Sequence, residues 1–337
     1  MNSNATLEHL RNLLVSLGEH VRSTLIEQRG GFVSPRLAEV ATVTASDTIY
    51  GIDALVEPAI LKWLAENWPS SEAVELVMEG LEEHGPVAFP SGTALADTRW
   101  KLMIDPIDGT RMIMHDKRSA WMIGALAPQR GAETTLRDIA AAVLVELPTT
   151  KQTLVDTLSA VRGQGVRAHR VNLADKTRRP LKIEPYSGTE VAHGFSSLVK
   201  FFLGAKDRVA RIEQQTLVHA YGPEAIGAMV FDDQYLSTGG QFYEILAGRD
   251  RWLGDIRPLI FAAEGWDQIL VCHPYDVGAA LLLEEAGCVI EKPDSSPLDA
   301  PLDTTSPVAW VAYANPRLAD RLRGPLQKAI TGELGQG

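Results

Sequence analysis

The chain has 337 residues, of which 45% are hydrophobic and 22% charged, a balance typical of a soluble globular enzyme. Its length predicts one large domain or two lobes. The formal net charge of −11 argues against binding to nucleic acid, which a basic surface would favour. An anionic small substrate remains possible if bound cations reverse the local field.

The cysteine content and the hydropathy pattern indicate the compartment. The chain has only two cysteines, Cys272 and Cys288, which we expect to be buried thiols in a reducing environment. The N-terminal residues do not combine a basic region, an apolar core and a cleavage site. No run reaches the roughly 18 apolar residues that a membrane-spanning helix needs. We therefore expect a cytoplasmic protein with no membrane partner.

The first half of the chain predicts two helices followed by strands. Apolar residues at spacings of three and four predict an amphipathic helix of about six turns over residues 7–25, and a second helix over 52–68. Strands are predicted at 74–78, 100–104, 119–127, 139–147 and 153–160, and a loop at 80–99. Because the connections between the last three strands are short, we expect an antiparallel meander.

The second half predicts helices alternating with strands. A basic, proline-containing stretch at 176–182 is interpreted as a surface connector, which divides the chain into lobes at 1–178 and 179–337. Beyond it we expect helices at 196–203, 207–218, 241–247, 277–286 and 316–330, and strands at 269–272, 289–290 and 308–313. This alternation predicts an α/β or α+β fold with two lobes.

The segment Asp105-Pro106-Ile107-Asp108-Gly109-Thr110 places two carboxylates three residues apart on a rigid turn. We expect the preceding strand to end at Asp105, because the proline that follows disfavours further pairing. Carboxylate oxygens suit Mg²⁺, although Asp-Gly pairs are also common in ordinary surface turns. Glu79, after the strand at 74–78, and Asp276, at a predicted helix N-terminus, occupy comparable positions. Together the four carboxylates favour a metal site.

The sequence resembles the inositol monophosphatase family, a branch of the Mg²⁺-dependent, lithium-sensitive sugar phosphatases. The first family signature is intact at 105–110, and the second resembles 275–287, where Tyr-Asp leads into small residues and ends in Glu-Ala-Gly. The resemblance extends over about residues 40–330. It implies a layered α-β-α-β-α sandwich of the inositol monophosphatase and fructose-1,6-bisphosphatase type, usually a homodimer. It also implies a phosphomonoesterase that hydrolyses a small phosphorylated polyol, sugar or related metabolite through attack by a metal-activated water.

The resemblance assigns metal ligands for two or three Mg²⁺ ions. Glu79, Asp105 and the carbonyl oxygen of Ile107 would bind one ion. Asp105, Asp108 and Asp276 would hold a second, and Asp276 would also lie against the substrate. Two cations can hold both the attacking and the leaving oxygen of an in-line displacement, which is what phosphate ester hydrolysis requires.

The catalytic set implied by the resemblance is Glu79, Thr110 and Asp53. Thr110, polarised by Asp53, would orient the attacking water, and Asp47 is the rival of Asp53 for this role. Backbone N–H groups of Gly109 and Thr110 are expected to donate hydrogen bonds to phosphate oxygens.

The chain departs from the family pattern in the residues that would contact the substrate. After the first signature it carries a charged run, in which Arg111, Lys117 or Arg118 would meet a second anionic group or shape a different alcohol pocket. The alternative is a solvated loop or subunit contact. Later, Gly239 and Gly240 would allow close approach of the substrate, and Thr238 and Gln241 would replace small apolar contacts.

Other functions and other polar residues stay open at this stage. The basic residues 111–118 hint at a nucleotide 3′-phosphatase or a fructose-bisphosphatase, and a non-catalytic, metal-stabilised binding or regulatory protein on the same scaffold is a further alternative. Asp255 is a weak candidate for the family's ring-hydroxyl carboxylate. His193 is a further polar candidate, for which burial in the core is the favoured interpretation.

Overall fold

The computed structural model describes residues 4–29, 40–43, 48–50, 52–81, 85–227, 229–267 and 270–335; within these ranges the side chains of 40–43, 48–50, 53–55 and 226 are not described. The α-helices are α1 Asn4–Arg29, α2 Asp53–Asn67, α3 Thr110–Ile113, α4 Lys206–Tyr221, α5 Thr238–Leu246, α6 Arg257–Glu264, α7 Ala280–Glu285 and α8 Pro316–Leu334. None of the helices in these ranges is long and apolar enough to span a membrane.

The strands form two main sheets and a short ribbon in the described part of the chain. They are β1 Val40–Val43, β2 Thr48–Tyr50, β3 Val74–Met78, β4 Val87–Phe89, β5 Trp100–Asp108, β6 Ala120–Pro128, β7 Ala141–Leu147, β8 Leu154–Val161, β9 Val166–Asn172, β10 Arg178–Pro180, β11 Gly194–Leu198, β12 Val230–Phe231, β13 Asp250–Asp255, β14 Val289–Glu291 and β15 Trp310–Tyr313. The larger sheet has the order β10-β9-β8-β7-β6-β5-β3-β4, and the smaller one has the order β12-β11-β13-β15-β14.

The predicted antiparallel meander is confirmed, because β6, β7 and β8 pair in sequence. It continues into β9, which the sequence did not predict. Residues 178–180, inside the predicted surface connector, form the exposed edge strand β10. The lobe boundary placed at this point stays a prediction.

Strand β5 is buried along its whole length. Successive side chains of a strand point to opposite faces, and here Leu102 and Ile104 belong to the cluster under α1 and α2, whereas Met103 belongs to the cluster on the other face. The prediction that this strand ends at Asp105 is wrong: pairing with β6 resumes at Asp108 after an irregularity in register. The irregularity leaves Pro106 and Ile107 without partners in the ladder, whereas Asp105 and Asp108 on either side pair with Ile123 and Trp121.

Three apolar clusters show how the layers stack. One lies between α1, α2 and the larger sheet, a second surrounds α5 and α7 between the two sheets, and a third lies between the smaller sheet and α4, α6 and α8. The order of layers is therefore helices, sheet, helices, sheet, helices. This confirms the predicted α-β-α-β-α sandwich.

Several predictions in the second half of the chain are wrong. Residues 196–203 were expected to be helical, but 194–198 form β11, because their parallel neighbours β12 and β13 complete its hydrogen bonds. Residues 270–272 are not in a strand, and α7 begins at Ala280 rather than at Val277. Strand β13 and helix α6 were not predicted.

Candidate metal centre

The candidate site lies where parallel strands of both sheets end. In the larger sheet Met78 of β3 pairs with Ile104 of β5, so Glu79 and Asp105 follow at the same edge. In the smaller sheet β11 and β13 are also parallel, so the residues after each strand are neighbours. Ligands commonly bind outside the carboxyl ends of parallel strands. Residues from both edges line one cleft.

Three carboxylates converge in this cleft. Asp105, Asp108 and Asp276 each offer one oxygen, and the three atoms lie within 4.8 Å of one another. Asp105 and Asp108 are buried, and Asp276 is half-buried. Glu79 lines the same cleft without belonging to this triad. The triad includes three of the four carboxylates that the sequence singled out.

Electrostatics in the triad favour a bound cation. Burial, followed by the charge of Asp276, raises the pKa of Asp108 to about 7, although backbone and side-chain donors favour its charged form. Clustered carboxylates repel one another, and a cation between them would relieve that repulsion. Because all the side-chain donors are oxygens, the site suits a hard ion such as Mg²⁺.

The N-terminus of α5 holds the carboxylate of Asp108. Ser237, which caps this helix, donates its hydroxyl proton to Oδ2 over 2.8 Å, Thr238 N donates to Oδ1 over 3.2 Å, and Gly239 N donates to Oδ2 over 2.5 Å. A Cβ at position 239 would lie 2.9 Å from this Oδ2 and 2.7 Å from Leu144 Cδ1. Gly239 therefore permits the close approach of Asp108.

The segment from Asp105 to Thr110 is organised by its own hydrogen bonds. The backbone N–H of Ile107 donates to Asp105 Oδ1 over 3.0 Å, and the hydroxyl of Thr110 donates to the carbonyl oxygen of Ile107 over 2.8 Å. Gly109 has a φ of 96°, and a Cβ there would lie 3.0 Å from Ser237 Cβ. Glycine thus suits both the left-handed backbone and the contact with the α5 cap.

The basic residues of the charged run lie in different places. Arg111 lines the cleft, whereas Lys117 is exposed and, like Arg118, is not among the described residues that line it. Arg118 donates to both oxygens of Asp233, over 2.9 and 2.8 Å, and to Glu244 over 2.8 Å. The structure does not bring Lys117 or Arg118 to the triad of Asp105, Asp108 and Asp276. A substrate role for them stays a prediction.

Two of the residues predicted on α5 pack inside the protein. A Cβ on Gly240 would lie 2.4 Å from the Tyr235 ring, so the absence of a side chain at this position makes room for that ring and not for a ligand. Gln241 is buried and donates to the carbonyl oxygen of Tyr235 over 2.8 Å. Thr238 does line the cleft. His193, expected in the core, is exposed on a left-handed backbone with a φ of 59°.

The structure describes the side chain of neither rival for the water-polarising carboxylate. Asp47 falls in a range that the structure does not describe, and of Asp53 only the backbone, at the start of α2, is described. The assignment between them stays a prediction.

Arg257 is a cleft residue that the sequence did not single out. It is only 9% exposed, lines the cleft, and donates to Asp255 through Nε and Nη2 over 2.9 and 2.5 Å, and to the carbonyl oxygen of Leu270 over 2.7 Å. Burial lowers its pKa, but Asp255 and, to a smaller extent, Asp276 more than offset this and raise it. The available signal was the Asp-x-Arg sequence at 255–257, directly after the apolar pair Trp252-Leu253 and a glycine. Asp255 therefore holds Arg257 in place and does not itself line the cleft.

The acidic neighbourhood of Arg118 gives a pH-dependent expectation. Burial, together with the charges of Glu244 and Asp233, raises the pKa of Asp250 to about 7. In the unfolded chain the Asp250 carboxyl loses its proton near pH 4, whereas in the folded protein it keeps the proton up to about pH 7. The free energy of unfolding therefore falls as the pH rises from 4 to 7. We expect Asp250→Asn to raise the free energy of unfolding at pH 8 by on the order of 2 kcal/mol, with the gain vanishing towards pH 4.

Thermal unfolding between pH 4 and pH 8 measures this effect. Asp267→Asn, which changes an exposed aspartate, is the matched control and should follow the wild-type curve. A gain that is independent of pH would contradict the burial of a titrating carboxylate at position 250.

Comparison with known proteins supports the fold. No protein-family model matches the chain, and no curated protein does. Among solved structures, the extragenic suppressor protein SuhB of Bartonella henselae matches with a TM-score of 0.64 at 15% identity, covering 95% of this chain and 99% of that chain. Fructose-1,6-bisphosphatase of Leishmania major matches with 0.67 at 13% identity, covering 95% and 94%. An inositol monophosphatase of Thermotoga maritima matches with 0.57 at 14% identity, covering 96% and 98%. The protein thus has the fold shared by inositol monophosphatases and fructose-1,6-bisphosphatases.

Proposed function

We propose that the protein is a Mg²⁺-dependent phosphomonoesterase that acts on a small phosphorylated metabolite. The observation that carries this proposal is the triad Asp105, Asp108 and Asp276, which places three carboxylate oxygens together in a cleft at the ends of parallel strands. Solved structures with this fold include proteins named as phosphatases of inositol and of fructose bisphosphate. Thr110, Arg111 and Arg257 line the same cleft, and their donors suit an anionic ester.

The triad would hold the ions, with Glu79 and the carbonyl oxygen of Ile107 as further ligands. Bound Mg²⁺ would polarise the phosphoryl group and compensate the charge that develops on the reacting oxygens. Asp108 is kept in position by the N-terminus of α5, whose N–H groups favour its charged form. The ligand geometry thus depends on the packing of α5 against β5.

The residues around the triad would bind and orient the ester. Thr110, whose hydroxyl donates to the carbonyl oxygen of Ile107, would exchange this bond for one that orients the attacking water. Nη1 and Nη2 of Arg257 each carry two N–H groups, of which one donates to Leu270 or to Asp255. The second N–H group on each nitrogen would donate to phosphate oxygens. Its pairing with Asp255 fixes the direction of these donors.

Phosphate release from a panel of esters tests the proposal. The panel contains inositol 1-phosphate, glycerol 2-phosphate, fructose 1,6-bisphosphate and a nucleoside 3′-phosphate, each assayed with Mg²⁺, with EDTA, and with Mg²⁺ plus Li⁺. We expect release from at least one ester that depends on Mg²⁺ and is inhibited by Li⁺. No release from any ester would contradict the proposal. If Mg²⁺ still raised the thermal stability of the protein, that outcome would favour the non-catalytic, metal-stabilised alternative.

A further inference from the structure

One wall of the cleft is aromatic. Phe201 and Phe202 follow β11, line the cleft and are half-buried. Their ring centroids lie 5.0 Å apart in an edge-to-face arrangement. An aromatic face offers no conventional hydrogen bond to the hydroxyl groups of a polyol, but it offers a large contact area to a flat or apolar group. The wall is therefore suited to contact the alcohol part of a phosphate ester.

Arg257 connects this wall to the carboxylates. Its guanidinium carbon lies 4.9 Å from the ring centroid of Phe201 and 5.1 Å from that of Phe202. The same guanidinium lines the cleft with the triad and is within electrostatic reach of Asp276. Because Asp255 holds Arg257 in place, the aromatic wall and the anion-binding part of the cleft keep fixed positions relative to each other. A substrate whose phosphate lies at the triad would place its alcohol near this wall.

Further exposed apolar side chains lie near the wall. Leu203, next to Phe202, is 91% exposed, and Leu270, which lines the cleft, is 38% exposed. Trp266 is 43% exposed, and its ring packs against Gly204, where a Cβ would lie 2.9 Å from Cζ3. Contiguous exposed apolar side chains beside a cleft typically mark a ligand-contacting surface.

We propose that the alcohol of the substrate carries a planar or apolar group, about the size of one aromatic ring, that packs against Phe201 and Phe202. The inference rests on the proposed phosphatase function and narrows its substrate class. It predicts that a fully hydroxylated polyol such as inositol is the poorer alcohol.

Paired esters test the preference directly. In 3-phenylpropyl phosphate and propyl phosphate the leaving alcohols are of similar acidity and differ only in a remote ring, so a difference in kcat/KM reports contact with that ring. We expect the phenyl ester to be favoured by roughly tenfold or more, and also to exceed inositol 1-phosphate. Equal values for the two alkyl esters, or a preference for inositol 1-phosphate, would overturn the inference.

Variants locate the contact. Phe202→Ala should bring the ratio between the two esters close to one, and Phe202→Leu, which keeps apolar volume without a ring face, should give an intermediate ratio. Phe231→Ala is the matched control, because Phe231 is 48% exposed on β12 and is not among the described residues that line the cleft. This control should keep the wild-type ratio. A ratio that is unaffected in both Phe202 variants would overturn the assignment to this wall.

A binding measurement separates failure of the inference from failure of the proposed function. Calorimetric titration with 3-phenylpropylphosphonate and propylphosphonate, which are not hydrolysed, should show roughly tenfold tighter binding of the phenyl compound, and Phe202→Ala should remove this difference. If no ester is hydrolysed, the phosphatase proposal fails whatever the titration gives. If both alkyl esters are hydrolysed at equal rates and both phosphonates bind equally, the phosphatase proposal stands and the aromatic wall has no role in specificity.

Discussion

Asp276→Asn is expected to lower kcat for phosphate release by roughly 10³-fold while the protein stays folded. A bound cation contributes several kcal/mol of transition-state stabilisation, and about 1.4 kcal/mol corresponds to each tenfold in rate. The change removes one of three carboxylates whose oxygens lie within 4.8 Å of one another. Since their mutual repulsion falls as well, the metal-free variant should be at least as stable as the metal-free wild type. Asp105→Asn should behave in the same way.

Thermal unfolding with and without Mg²⁺ provides a readout that does not depend on turnover. Wild-type protein should gain in Tm when Mg²⁺ is added, because a ligand that binds only the folded state stabilises it, and the variants should lose most of this gain. Asp320→Asn changes an exposed aspartate on α8 and should retain both the Mg²⁺ response and the activity. Wild-type turnover in Asp276→Asn would remove this residue from the metal site.

Local sequence patterns were sufficient for the part of the site on the larger sheet. Residues 74–78 alternate in burial, and their predicted strand matches β3 at both ends. The parallel pairing of β3 with β5 then brings Glu79 and Asp105 to one edge. In the Asp105–Thr110 segment, Gly109 adopts the left-handed backbone that a glycine permits, but β5 continues to Asp108 because β6 pairs with it. Local backbone preferences therefore predict β3 and the turn at Gly109, but not the end of β5.

The part of the site on the smaller sheet depends on tertiary contacts. Residues 194–198 become a strand because β12 and β13 pair with them, and a helix was the expectation from sequence alone. Gly239 was expected to admit the substrate, whereas its close contact is with Asp108. An arginine is normally exposed, and the Asp-x-Arg pattern at 255–257 does not show by itself that the pair is buried. The proposed specificity of the cleft therefore depends on residues that the sequence pattern did not identify.

Arg257→Met is expected to lower the free energy of unfolding by roughly 3–5 kcal/mol, because it leaves the carboxylate of Asp255, only 1% exposed, without its partner. The double variant Asp255→Asn/Arg257→Met removes both charges and keeps an acceptor for the backbone N–H of residue 257, which now donates to Asp255 over 3.0 Å. It should recover most of the lost stability. Urea unfolding measures both variants.

The activity of the double variant separates the structural role of Arg257 from its proposed role towards the substrate. If Arg257 donates to phosphate oxygens, a stably folded double variant should still have a kcat/KM lowered by roughly tenfold or more, because charge-assisted hydrogen bonds of this kind contribute about 1.5–3 kcal/mol. Arg211→Met, which breaks an exposed ion pair with Asp207 and Glu333, should change stability by less than about 1 kcal/mol and leave turnover unaltered. A double variant with restored stability and wild-type kcat/KM would restrict Arg257 to a structural role.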